Sequence, residues 1–229
     1  MRKPAFSTHL SVPGVPVALL IASCVIFLAA CDSAGDNGPK PIKGLLVVSA
    51  RANIFAAGAA EVPDLTGGGG LVPELIRLED ATYLTFTEVT DSVTPNITMY
   101  DFTGPEGNDT GETRMSSYGG ITGVLHRERF MFLAGVFLGD AAPSPPAPDS
   151  LDLTEMGGMD EVKNVNVGQV FFIGDGRSAS GKVQHFFVPA GATRLFLGFA
   201  DHDRGILVPG YYDDNKGGIG VHYELHKGE

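Results

Sequence analysis

The first apolar block covers residues 15–30, carries no charge and follows Arg2 and Lys3. A basic start, an apolar stretch and a small-residue exit predict a secretory signal peptide over residues 1–30 rather than an element of a folded domain. The block is also just long enough to span a bilayer, so a retained anchor is the alternative. Residues 32–41 are small, polar and broken by Pro39 and Pro41, which predicts a flexible tether over residues 31–43. Beyond it the hydrophobic positions fall in short runs. Leu45 to Val48 and Ile54 lie within 44–55, and Leu84 and Phe86 alternate with Tyr83, Thr85 and Thr87 within 82–89. Further runs cover 130–138, 169–173, 183–188, 193–200 and 218–225, and no helical period is sustained. Short strands between Gly and Pro clusters predict an all-β domain over residues 44–229, a β-sandwich or jelly-roll-like fold. Phe171, Phe172, Phe186, Phe187, Phe196 and Phe199 are its expected core and sheet-edge packing.

Charge and cysteine usage narrow the setting. The 229 residues carry a formal charge of −11, which becomes −13 once residues 1–30, with two positive charges and no acidic one, are removed. Such acidity argues against nucleic acid and against electrostatic docking on anionic lipid. The two cysteines are Cys24, in the segment to be removed, and Cys31, so no disulfide is expected in the mature chain. Leu28-Ala29-Ala30-Cys31 resembles the lipobox of bacterial lipoproteins, in which the Cys thiol receives a diacylglyceryl group before cleavage. The resemblance implies lipidation at Cys31, a membrane anchor made of lipid rather than a basic patch, and a domain in the cell envelope outside the cytoplasm. Asp32 stands where an inner-membrane retention signal lies in some envelopes.

The candidate chemistry concentrates near the C-terminus. Asp201, Asp203, Asp213, Asp214 and Asn215 lie between two predicted strands, with Pro209-Gly210 and Gly217-Gly218 turning the backbone. Calcium takes several oxygen ligands at once, from carboxylates, amides and main-chain carbonyls, and a turning loop can converge all three. The same residues also make ordinary solvated turns. Thr66 followed by four glycines lacks the Lys and Ser/Thr of a phosphate cradle and is read as a flexible connection. The acidic segment 100–120 is read as a surface loop with the potential to border a site. No nucleophile elbow, Cys nucleophile or His-Glu-X-X-His motif occurs. His222 and His226, four apart on a predicted strand, are expected to face solvent.

The segments 48–58, 168–176, 187–201 and 212–218 resemble a set of bacterial surface proteins, many with a PEP-CTERM sorting tail. Those are in turn similar to small calcium-dependent galactose-binding lectins of PA-IL type. In that family a strand-end Asp, a carbonyl after a Pro-Gly turn and two consecutive amide side chains bind calcium, which also takes two sugar hydroxyls. The resemblance implies calcium ligands at Asp201, the carbonyl of Tyr211, Asp214 and Asn215, with a further carbonyl near Thr94. Asp203 competes with Asp201, because the segment between Asp201 and Pro209 is longer here. Asp214 replaces an amide and adds negative charge. The family's His and Gln that hold a galactose hydroxyl have no counterparts between Tyr100 and Gly120, so galactose specificity does not transfer. Asp201, His202, Tyr211 and Asp214 are the candidate carbohydrate contacts.

These readings converge on a non-enzymatic, lipid-anchored envelope protein that binds calcium and, through it, carbohydrate or surface polysaccharide. Two alternatives remain at this point. One is a structural or assembly module in which calcium, if bound, stiffens the loop. The other is a glycoside hydrolase that draws two carboxylates from the acidic loop.

Overall fold

The computed structural model describes residues 39–202 and 207–228, so the expected signal peptide, Cys31 and Asp203 lie outside the described residues. Gly38–Glu229 fall in one compact unit. Among the described residues no helix is long and apolar enough to cross a membrane.

The architecture is all-β, as the run lengths predict. One sheet holds β1 (Ile42–Ser49), β11 (Lys216–His226), β3 (Tyr83–Thr94), β9 (His185–Phe187) and β7 (Glu161–Val162), in that order. A second holds β2 (Glu74–Arg77), β10 (Arg194–Gly198), β6 (Ala134–Leu138) and β8 (Val170–Phe172). β4 (Thr113–Met115) and β5 (Val124–His126) form a separate ribbon. From β6 to β11 each successive strand lies in the other sheet. The chain therefore stitches the two sheets together, and its loops gather at their ends.

Burial follows the alternation of side chains along the strands. Val48, Leu84, Phe86, Val93, Ile219 and Val221 from the first sheet share one cluster with Val136, Phe137, Phe171, Leu195 and Leu197 from the second. Phe186 bridges them, its ring 5.2 Å edge-on from Phe86 and 5.7 Å from Phe171. Each fully buried aromatic of this kind removes enough apolar surface to stabilise the fold by roughly 1.5–3 kcal/mol. The six phenylalanines expected in the core are buried, except Phe187, which is half-buried.

Three expectations need correction. The run 130–138 supplies a strand only from Ala134, because Met131 takes φ 56° and Phe130 bridges instead to Asn108. Ile54 lies in a 3-10 turn, Ile54–Ala56, capped by Asn53, whose Oδ1 accepts from the Phe55 N–H at 2.9 Å. His222 is exposed, but His226 is half-buried, stacked 4.4 Å from Tyr83 with its ring nearly parallel.

Candidate metal centre and the adjoining cavity

The ends of β1, β3 and β10 and the start of β11 meet at one corner, where the expected ligands lie. β10 stops at Gly198, and Phe199 continues it by bonding to the backbone beyond β1: Phe199 N donates to Ala52 O at 2.8 Å, and Ile54 N donates to Phe199 O at 3.0 Å. Tyr212, wholly buried, then fixes the next residues. Its hydroxyl donates to Phe199 O at 3.1 Å and accepts from Asp201 N at 3.1 Å. Complete burial raises the phenol well above its ordinary value, so it stays protonated and keeps this donor role.

The return segment is held from below by the glycine-rich stretch, which is a packed support rather than the flexible connection its composition suggests. Tyr211 N donates to Thr66 O at 2.8 Å, Tyr212 N to Gly68 O at 3.2 Å and Asp213 N to Gly67 O at 3.4 Å. Gly67 and Gly68 take φ 74° and 93°, and a Cβ on them would lie 2.5 Å from the Tyr211 ring and 2.1 Å from Asp213 Oδ2. Only glycine combines that backbone with that approach. Tyr211 itself has φ 64°, a left-handed conformation costly for a side chain of its size. The 3-10 turn Tyr212–Asp214 follows and directs Asp213 outward, into an ion pair with Arg51.

Asp214 and Asn215 are oriented by their other atoms. Asn215 is 1% exposed, and its amide donates to Ala50 O at 3.0 Å, which leaves Oδ1 unengaged. Asn96, two residues past β3, donates to Asp214 Oδ2 at 2.7 Å. Its own Oδ1 is held by Thr98, through N at 2.9 Å and Oγ1 at 2.6 Å. On Asp201, Oδ1 accepts from the His202 N–H at 2.8 Å. Thus each of the three residues has one atom satisfied.

The other atoms are not. Asp201 Oδ2, Asp214 Oδ1 and Asn215 Oδ1 are buried without a hydrogen-bond partner, half of the six such side-chain atoms among the described residues. Buried polar atoms in folded proteins are almost always paired, so three orphan acceptors from one short segment mark a place that lacks a positive partner. Burial, with the Asp214 charge adding to it, pushes the Asp201 carboxyl up to about 8. The Asn215 side chain partly opposes that rise, and a proton on Asp201 would add a single further donor. A divalent cation answers all three acceptors.

Among the described residues no three His, Cys, Asp or Glu side chains are grouped to hold a metal. The set here is two carboxylates and an amide, to which calcium, a hard cation with oxygen ligands, is suited and softer metals are not. Thr94 lies beside this group through its pairing with Lys216, next to Asn215; its hydroxyl donates to Tyr100 O at 3.1 Å.

A cavity of about 580 Å³ opens on the same residues. Asp201, His202, Tyr211 and Asp214 line it together with Asn96, Tyr100, Glu112 and Phe130. The segment 100–120 therefore borders the site. Tyr100 and Phe130 meet edge to face at 5.2 Å and give the lining an apolar surface. Tyr100 and Glu112 belong to the segment expected to border a site, whereas nothing in the sequence singles out Asn96 or Phe130 for it. Asn96 lay two positions beyond Thr94, and only tertiary pairing reveals that it reaches Asp214. No family model matches the chain, and no curated protein or solved structure matches it.

Proposed function

We propose that this domain binds calcium through Asp201 Oδ2, Asp214 Oδ1, Asn215 Oδ1 and the Tyr211 carbonyl, and binds a carbohydrate in the adjoining cavity. The observation that carries the reading is the set of three buried acceptor oxygens without a donor. Bound calcium would supply coordination positions for two vicinal hydroxyls of the sugar. The second oxygens of Asp201 and Asp214 accept hydrogen bonds from those hydroxyls, with Asn96 keeping Asp214 turned toward the cavity. Tyr100 and Phe130 offer an apolar wall for the C–H face of a pyranose, and Glu112 adds an acceptor to the lining. The part of the reading drawn from the N-terminal pattern is a lipid anchor at Cys31 that holds the domain in the cell envelope.

A glycan panel probed with excess calcium, and again with chelator, tests this. Chelator-sensitive binding that Asp214→Ala removes supports the carbohydrate reading. Calcium binding with no glycan signal favours the structural module, in which the metal only stiffens the corner. Release of reducing sugar would instead indicate a hydrolase. For the anchor, Cys31→Ser is expected to abolish labelling by an alkyne fatty acid, and persistent labelling would refute it.

A further inference from the structure

β1 is an outer strand of its sheet, and it differs from the other edges. β7, β2 and β8 offer two, four and three residues, whereas β1 offers eight. It pairs with β11 without a register shift, and among the described residues no other backbone hydrogen bond reaches positions 42–48. Natural edges are blunted by charge, proline, bulges or shortness. β1 has none of these apart from Lys43, whose ammonium lies 2.6 Å from Glu224 on the neighbouring strand. Its side chains alternate. Leu46 and Val48 turn toward the core, and Leu45 and Val47 are 63% and 64% exposed on the other face. Val47 lies opposite Gly220, which has no side chain to cover it.

We propose that β1 is a two-fold contact with a second copy of this chain, antiparallel and centred on Leu46, which joins two five-stranded sheets into one. The occupant is argued from the strand's complementarity to itself. About Leu46, Leu45 of each copy opposes Val47 of the other, so four exposed apolar side chains cover one another on the outer face. Leu46 meets Leu46 on the inner face, Gly44 opposes Val48, and Lys43 opposes Ser49, so no like charges meet. An axis at Leu45 would set Lys43 against Val47 and lose this match. The proposal depends on neither calcium nor carbohydrate.

The test uses the full chain, purified in a non-ionic detergent, with its protein mass read by light scattering. A dimer is expected for the parent protein. Leu45→Lys combined with Val47→Lys places four ammonium groups together on already exposed positions, and should weaken the dimer roughly tenfold or more while the melting curve, taken at a dilution where both proteins are monomeric, stays unchanged. In a Cys24→Ser, Cys31→Ser background, Leu46→Cys should cross-link the two copies under mild oxidation, since directly opposed residues lie within disulfide range. Ile42→Cys should not, because its two copies would stand about 27 Å apart. A parent protein that stays monomeric at about 100 µM, well above the range of stable homodimers, would overturn the proposal. So would a dimer indifferent to the double substitution, or equal cross-linking at Ile42; the last two would point to another contact or to an extended peptide as the occupant.

Discussion

The turn after β8 and the turn before β11 each bring two carboxyl groups together, Glu106 with Asp175 in one and Asp201 with Asp214 in the other. At the first, donors answer the oxygens. Glu106 Oε1 accepts from the Asp175 N–H at 2.9 Å, Asp175 Oδ1 accepts from the Arg177 N–H at 2.8 Å, and the Arg129 guanidinium lies 3.9 Å from Glu106 Oε2. At the second, the His202 N–H and the Asn96 amide each answer one carboxylate oxygen and the Asn215 side chain favours ionised Asp201, while Asp201 Oδ2, Asp214 Oδ1 and Asn215 Oδ1 stay buried with no hydrogen-bond partner among the described residues. Both environments favour the protonated acid: burial, followed by the Asp175 charge among the raising causes, pushes Glu106 up, as burial and Asp214 push Asp201. What separates them is the supply of donors, not the count of carboxylates. A pair satisfied by the protein holds a loop in place; a pair with acceptors left over has oxygens to offer a cation, which is what the proposed calcium site uses.

Substitutions at the two turns should accordingly behave in opposite ways. The largest effect is expected for Asp201→Asn. The Asp201 carboxyl has an ordinary value of 3.8 and is pushed up to about 8 in the metal-free fold. The folded state therefore holds a proton that the unfolded state has lost, and stability declines as pH rises from about 4 to about 8. Asp201→Asn removes that decline, so it should stabilise the metal-free protein at pH 8 by up to about 5 kcal/mol and abolish its response to calcium. Chemical denaturation at pH 4.5 and pH 8, with chelator present, checks both the sign and the slope.

Tyr212→Phe should cost about 1–3 kcal/mol, because it leaves the Asp201 N–H and the Phe199 carbonyl without the buried hydroxyl that joins them. The loss should be read in the same denaturation experiment, and a neutral result would mean that this hydroxyl does not set the corner. Asn96→Ala should leave the fold nearly unchanged and weaken calcium about tenfold, the usual effect of removing a group that orients a metal ligand; isothermal calorimetry measures it. Smallest is Glu106→Gln, which keeps an acceptor for the Asp175 N–H. Because the Glu106 carboxyl is raised from its ordinary value of 4.5, wild type loses stability relative to the variant as pH climbs above that value. The variant should therefore gain slightly on wild type between pH 4 and pH 7, a gain reduced by solvent screening of this partly exposed group. A calcium response altered by Glu106→Gln would blur the distinction between the turns.

The strand pattern and the acidic segment were legible because both are local. Alternation along 82–89 and the aromatic runs reported which faces turn inward, and the acidic turn around Asp201, Asp213, Asp214 and Asn215 marked one returning segment, on which the resemblance to calcium-dependent lectins placed Asp201, Tyr211, Asp214 and Asn215 as candidate ligands. What the sequence hid was held by contacts distant along the chain. Composition gives no sign that the glycines at 67 and 68 lie beneath Tyr211 and Asp213, since a supporting glycine and a flexible one are the same residue. Asn96 reaches Asp214 only because β3 pairs with β11. The short strands β4, β5 and β7 carry too few positions for a period of two to show, and they form where neighbouring segments supply the ladder.

The most direct test is the unfolding midpoint of wild type and Asp214→Ala at pH 7.5, with chelator and with calcium at a hundredfold excess over its dissociation constant. A bound metal should add about 2.7 kcal/mol to the wild type and nothing to the variant. An unchanged wild-type midpoint would contradict the calcium site and leave Asp201, Asp214 and Asn215 as a corner held by a single proton.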